Sequence, residues 1–259
     1  MRKAFSAFEW GRSRFNVDTL KKQIVYLPIM NGKIDIDFME SFIVELEAER
    51  IVELEAERIA ELEAYLTVSG LNNYELSKEE KQTIENYQSF IWRSYNLEKL
   101  FGRSTRGKRL KSEDRIKGTL PFVTAGETEE GVSAFIGNDV EIFEKNTTTI
   151  DMFGSAKYRN FQYGADDHVA VVHTETLPMK AAIFVTSAIH KAAHTGKFDY
   201  GHNFYAKDAD ALDIMLPSVN GKPDFETMSL LISAVQKLVI KDVVCYTEKR
   251  IEAARKVTT

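Results

Sequence analysis

Residues 27–39, LPIMNGKIDIDFM, recur at residues 216–228 as LPSVNGKPDFETM. Leu27, Pro28, Asn31, Gly32, Lys33, Asp35 and Met39 match Leu216, Pro217, Asn220, Gly221, Lys222, Asp224 and Met228 in order and spacing. Each copy reads as a strand-turn-helix junction, and a helical stretch comes after each. An internal repeat decides architecture ahead of local propensity. This chain uses one junction twice, with a different block of sequence between.

At 259 residues the chain can bury a real core as one large or two modest domains. Cys245 is its single cysteine, which excludes a disulfide framework and a multi-cysteine zinc site and fits a reducing cytosol. No apolar run approaches the roughly 20 residues that span a bilayer, and the start MRKAFSAFEW lacks the apolar stretch of a signal peptide. A soluble, cytoplasmic protein with no membrane partner is expected.

The net charge of −5 hides a division. Residues 35–66 hold eleven acids against only Arg50 and Arg58, a local charge of −9 that leaves +4 for the rest. A strongly acidic element is attached to a mildly basic body, and such asymmetry speaks to partners. Within the body, FGRSTRGKRLKSEDRIKG at 101–118 carries seven Lys/Arg against two acids.

The acidic segment reads as a long helix, with Asp37 and Glu40 at capping-box spacing and Leu, Ile, Ala, Glu and Arg dominating the stretch after them. Its core is an octad, IVELEAER at 43–50 and again at 51–58, with IAELEAYL at 59–66 as a diverged third copy. Eight residues turn an ideal helix through about 800°, so the apolar stripe of each copy is displaced about 80° from the last. That rules out a plain heptad seam. The tandem copies instead suit a spacer lengthened by about 12 Å per duplication; a solvated glutamate-rich helix explains the composition but not the repetition.

TVSGLNNYEL breaks the pattern as a loop, and Ser77 with Glu80 opens a short helix as a capping box. From about residue 96 to 201, PFVTAG, GVSAFIGN, TTTIDMFG, KYRNFQYG and HVAVVHTE alternate with turn signals and read as strands. Residues 179–195 read as a helix with Ala182, Val185, Ala188 and Ile189 on one side. After Pro217, Asp224 is placed as the N-cap of a second long helix with Met228, Leu231, Ile232, Val235, Leu238, Val239, Val243 and Tyr246 on a wide apolar face. The fold class expected is mixed α/β (α+β): one globular domain flanked by two long helices packed as an antiparallel coiled coil.

Three extended blocks carry a family likeness: WGRSRFNVDTLKKQIVYLPIMNGKIDIDFM, LFGRSTRGKRLKSEDRIKGTLPFVTAGETEEGVSAFIGN and TTIDMFGSAKYRNFQYGADDHV. They resemble the DNA specificity subunit of type I restriction–modification systems, whose members alternate target recognition domains with long conserved helices. The likeness covers nearly the whole chain, with one departure: the family has two full recognition domains and this chain has one. The resemblance implies five parts. Residues 1–34 would be the end of a first recognition domain, 35–67 a spacer helix, 68–95 a linker with a short helix, 96–223 the complete recognition domain, and 224–259 the second spacer helix.

The resemblance further implies a binding function without chemistry of its own. The recognition domain would read a half-site of double-stranded DNA, and the helices would space the half-sites and dock modification (methyltransferase) subunits. Met39, Phe42, Leu46, Leu54, Leu62, Leu231, Val235 and Leu238 are the docking candidates. S-adenosylmethionine would sit on those partners and no cofactor on this chain, with a restriction subunit in the full complex. Self-pairing, or pairing with another specificity chain, would supply the second half-site. The alternative is an assembly module that binds modification subunits without productive DNA targeting.

Charge alone places the DNA contact on the basic loop, where Arg106, Lys108, Arg109, Lys111, Arg115 and Lys117 suit phosphates and Lys108 or Arg109 could reach a guanine edge. Lys157, Tyr158 and Arg159 form a second candidate patch, although their alternation also suits a strand with Tyr158 packed inside. Thr128, in the loop TAGETEEG, and His202 with Asn203, before the second junction, complete the candidates.

Enzyme signatures are missing. There is no glycine-rich cofactor turn with an Asn/Asp-Pro-Pro-aromatic motif, and no P-loop. His190 and His194 have zinc-ligand spacing, but the residues between them supply no catalytic Glu, and His173-Thr174-Glu175 lacks the cysteines of a zinc deaminase.

Overall fold

The computed structural model describes residue 21 and residues 24–257. Most of the segment expected to end a first recognition domain lies outside the described residues. The chain divides into two units, Met1–Ser69 with Cys245–Thr259, and Gly70–Val244.

The first unit opens with the hairpin β1 (Ile29–Met30) and β2 (Lys33–Ile34). Asn31 and Gly32 join them at φ of 52° and 73°, the two left-handed residues that a tight hairpin turn requires. Helix α1 (Ile36–Val68) begins two residues later. Asp35 caps it: its N–H donates to the Pro28 carbonyl at 2.9 Å and its Oδ1 accepts from Phe38 N at 3.0 Å. The capping box expected at Asp37 and Glu40 is therefore corrected, because the hairpin ends at Ile34 and hands the cap to the next residue. α1 runs 33 residues without interruption, about 50 Å at 1.5 Å per residue. Ile59, Leu62 and Leu66 of the third octad are covered, whereas Ile43, Val44, Leu46, Ile51, Val52 and Leu54 of the first two are exposed.

The second unit starts with α2 (Lys78–Glu85), where Ser77 and Glu80 complete the capping box. The remaining elements in order are β3 (Trp92–Asn96), α3 (Leu97–Phe101), β4 (Thr105–Arg106), β5 (Lys117–Val123), β6 (Val132–Ile136), β7 (Thr147–Asp151), β8 (Ala156–Arg159), β9 (Gly164–Ala165), β10 (Val169–Val172), α4 (Met179–Ala193), α5 (Ala206–Asp210), β11 (Asp213–Val219), β12 (Lys222–Pro223) and α6 (Phe225–Val257). Three sheets form, in the orders β4-β10-β7-β8, β12-β11-β3 and β6-β5-β9. Pairing is antiparallel except between β5 and β9.

β7 and α4 explain the centre of this unit. Every residue of β7 is buried, and three of them are threonines whose hydroxyls need partners. Thr147 meets Tyr163 Oη at 2.9 Å, Thr148 meets Thr186 at 2.6 Å, and Thr149 accepts from Arg159 Nε at 2.9 Å. α4 buries Ala181, Ala182, Val185, Ile189 and Ala193 at helical spacing; the small alanines let the helix backbone approach the sheet. Leu216 and Met228 of the second junction are completely buried in the same core, with Ile150, Val172 and Ile214.

The second junction has the local geometry of the first. Asn220 and Gly221 have φ of 51° and 79°, Asp224 N donates to the Pro217 carbonyl at 2.9 Å, and Asp224 Oδ1 accepts from Thr227 N at 3.0 Å. α6 is also 33 residues long. Its base is clamped to α2: Lys237 Nζ donates to Glu80 Oε2 and to the Glu75 carbonyl, both at 2.9 Å. The compact unit thus takes in residues 70–95 and α6 as far as Val244, more than the segment 96–223. The end of α6 belongs with α1, to which Arg250 is joined by an ion pair with Glu55.

Candidate nucleic-acid interface

The basic loop is held at several points, which fixes where its free cations stand. β4 pairs with β10, placing Arg106 opposite Ala170, and Thr105 Oγ1 lies 2.9 Å from His173 Nε2. At Gly107 the backbone runs flush against the end of β9, and a Cβ there would lie 1.6 Å from the Ala165 carbonyl oxygen. Only glycine fits. Further on, Asn138 holds the C-terminal end of the loop, accepting from Ile116 N at 2.8 Å and donating to the Asp114 carbonyl at 3.0 Å.

Arg106, Lys108, Arg109 and Lys117 project from this frame, exposed and without an ion pair among the described residues. Lys111 is also exposed and meets Glu113 at 3.4 Å, a pair that an incoming phosphate can exchange. Arg115 is different. Its guanidinium donates to the Leu110 carbonyl and to Ser133 Oγ and lies 5.1 Å from the centre of the Phe122 ring. Its expected role as a phosphate contact is corrected: it pins the loop to the β5–β6 hairpin.

The second patch lies at the far side of the same sheet. β4 and β8 are opposite edges of a four-stranded sheet, about 14 Å apart at 4.8 Å per strand. Lys157 is half-buried, 3.1 Å from Glu127 Oε2 and 3.1 Å from Ser155 Oγ. Tyr158 donates to Asn146 Oδ1 at 2.9 Å and is largely covered, and burial raises its pKa above the usual phenol value. Arg159 is only 1% exposed, beneath the loop that joins β5 to β6. With the loop in this position Arg159 does not reach the surface, which corrects its expected DNA contact, whereas Tyr158 is packed inside as the alternation of the strand suggested. Both faces of β8 are covered, one by α4 and the other by that loop.

Several other loops converge on this edge. Phe204 N donates to the Met152 carbonyl at 2.9 Å, and Phe153 packs edge-on against the exposed Tyr200 at 5.2 Å. His202 is exposed and its backbone is fixed by Asp199, while Asn203 is half-buried and its Oδ1 has no partner. Thr128 is exposed on the β5–β6 loop. Glu127, in the same polar loop TAGETEEG as Thr128, joins this group, as does Tyr200, which carries no distinguishing motif in the sequence.

His190 and His194 end α4 beside the same turn. Ala156 N donates to His190 Nδ1 at 3.1 Å, so the ring proton of neutral His190 sits on Nε2, which faces His194 Nδ1 at 3.2 Å. A metal between the two rings would need that nitrogen unprotonated. The tautomer held by the backbone opposes a zinc site here.

The docking candidates divide. Phe42, Leu46, Leu54, Val235 and Leu238 are exposed, and Met39 and Leu62 are half-buried. Leu231 is buried against the body with Met228 and Ala234, so its assignment to subunit docking is corrected. No helix among the described residues is long and apolar enough to cross a membrane.

No protein-family model matches the chain. It is 20% identical over 234 residues to the specificity subunit S.BcgI of a type II restriction enzyme from Heyndrickxia coagulans, an alignment covering 87% of this chain and 61% of that protein. Solved structures similar to it include the S subunit of a type I restriction–modification system from M. genitalium, at 19% identity and a TM-score of 0.45 over 84% of this chain and 54% of the other. A chain from a type I system, solved in a study of complex assembly and conformational transition, aligns at 15% identity and 0.46 over 82% and 56%. The HsdS subunit from Thermoanaerobacter tengcongensis aligns at 14% and 0.40 over 78% and 51%. The chain is thus similar in sequence to the specificity subunit of a restriction enzyme and spans about three fifths of that protein's length.

Proposed function

We propose that this chain is a non-catalytic, sequence-specific DNA-binding specificity subunit that reads one half-site through the body and docks methyltransferase subunits through its long helices. The observation that carries the reading is the basic loop. Arg106, Lys108, Arg109 and Lys117 stand exposed and without an ion pair among the described residues, on a backbone anchored by β4, Gly107 and Asn138. Cations held out on a fixed frame suit a phosphate backbone, and the longer ones can reach base edges. S-adenosylmethionine and methyl transfer would belong to the docked partner. Methylation would then mark the sites that this body selects.

The octads acquire a role in the same scheme. Each adds about 12 Å of helix, which corresponds to roughly three to four base pairs at 3.4 Å per pair. Deleting residues 51–58 should therefore shorten the gap between half-sites by that amount.

Salt-dependent binding to a selected duplex tests the DNA reading. Lys108→Ala with Arg109→Ala should weaken binding and flatten the plot of log affinity against log salt by about 1.8, close to two phosphate contacts. An unchanged slope would count against the loop as the interface. The assembly-module reading is favoured by a different observation, the exposed Phe42, Leu46 and Leu54 of α1. Its outcome would be stable capture of a methyltransferase subunit with no preference among DNA sequences.

A further inference from the structure

The loop between β5 and β6 is strained in a way its hairpin role does not require. Thr124 N closes it on the Gly131 carbonyl at 2.8 Å. Just before closure, Glu129 (φ 48°, ψ 37°) and Glu130 (φ 54°, ψ 24°) are both left-handed, and Gly131 comes next at φ 82°. Consecutive left-handed residues that are not glycine are disfavoured, because each Cβ crowds its own carbonyl. Such strain persists only where surrounding contacts impose it.

The contacts that hold the loop are few and polar. Glu127 Oε2 lies 3.1 Å from Lys157 Nζ, and Gly126 N donates to Asp151 Oδ2 over a long 3.4 Å. The Ser155 hydroxyl first, and the Lys157 ammonium after it, hold the Glu127 carboxyl below its usual range. Residues 127–130 are all exposed, so no apolar anchor secures the tip.

Beneath the loop lies an incompletely satisfied cation. Arg159 Nε donates to Thr149 Oγ1 at 2.9 Å, but Nη1 is buried with no partner, and the guanidinium has no ion pair among the described residues. A buried guanidinium whose nearest carboxylates, Glu130 and Asp151, act only at longer range is poorly compensated. Lys157 and Arg159 lie two residues apart on one face of β8, opposite Thr149 and Thr147. Glu127 faces Lys157, which also reaches Asp151 Oδ2 at 4.0 Å, while Glu130 of the loop and Asp151 act on Arg159 at longer range.

Resting on the DNA-binding reading, we propose that Glu127 is an internal stand-in for a DNA phosphate. In the free chain it latches the loop 124–131 over Lys157 and Arg159. A backbone phosphate displaces Glu127 from Lys157, the loop lifts and releases its left-handed turn, and the unpaired guanidinium nitrogen gains an anion. The three exposed glutamates of the closed loop repel any duplex that does not make this exchange, so the latch acts as a threshold against weak, indiscriminate binding.

The full-length chain tests this with three variants titrated against a selected duplex at several salt concentrations. Glu127→Gln should bind several-fold more tightly than wild type, because the internal competitor is gone. Glu129→Gln reports the general effect of removing one negative charge from the loop, and its gain should be smaller. In the pair Glu127→Gln with Lys157→Met, the advantage of the first change should vanish. Amide exchange supplies a reading without DNA: the Gly126 N–H should exchange faster in Glu127→Gln than in wild type. Equal gains for the Glu127 and Glu129 variants, persistence of the gain without Lys157, or unchanged Gly126 exchange would each overturn the latch. Wild type failing to bind any duplex at low salt would instead overturn the DNA reading on which it rests.

Discussion

The two copies of the junction differ in what covers them, not in how they are made. Each has an Asn-Gly turn with two left-handed residues, an Asp whose N–H returns to the junction proline, and a helix of 33 residues. Around the second copy, Ile214, Leu216 and Leu231 are 0%, 0% and 7% exposed. Their counterparts around the first, Val25, Leu27 and Phe42, are 38%, 38% and 47% exposed. Turn and cap chemistry is therefore written locally and repeats wherever the sequence repeats. Burial depends on a packed body, and only the second copy has one among the described residues.

Truncating the buried set should separate the copies most strongly. Leu216→Ala or Met228→Ala should destabilise the body by about 2–5 kcal/mol, whereas Leu27→Ala should fall within about 0.5 kcal/mol of wild type in the isolated chain. Urea unfolding monitored on the body measures both. A large loss at Leu27 would mean that the first copy is covered in solution, and would break the comparison.

The clamp on the second helix comes next. Lys237 and Ser233 meet Glu80 there, while the equivalent positions of the first helix are Ala48 and Val44. Burial alone would raise the Glu80 carboxyl, but hydrogen bonds from Ser233, Lys237 and the Ser77 N–H outweigh it and hold it at about 2. A pKa lowered on folding stabilises above the unfolded value, here 4.5, and that stability is lost as pH falls from 4.5 toward 2. Glu80→Gln should therefore remove up to about 3 kcal/mol at neutral pH and flatten the acid limb of a pH-stability curve. An unchanged acid limb would show that the clamp is not the group being titrated.

The smallest effects should be alike in the two copies. Asp224→Ala and Asp35→Ala each remove one cap, a change of about 1 kcal/mol in the helix concerned. Faster amide exchange at Thr227 and Phe38, respectively, reads it. Similar acceleration at both sites would sharpen the view that caps are independent of burial.

The same contrast explains how much is legible in the sequence. The repeated junction, the Asp224 cap, the Ser77–Glu80 box, the lengths of the helices and the main strands rest on near-neighbour chemistry. Sequence spacing puts the first cap two residues late, because Asp37 and Glu40 offer the same pattern further along than Asp35. Side-chain direction is less accessible. Lys157-Tyr158-Arg159 alternates as a strand should, but which face is covered depends on a loop some thirty residues earlier in the chain. Arg115 reads as one more cation in a basic run, yet Phe122, Ser133 and the Leu110 carbonyl claim it. Lys108 and Arg109 have no ion pair among the described residues and stand exposed.

Mapping DNA methylation in cells that express this chain as their sole specificity chain, together with a modification partner, tests the central claim most directly. One body per chain, paired two-fold, should give a bipartite palindromic site with the same half-site inverted across a fixed gap. Two unlike half-sites, or methylation without sequence preference, would contradict it.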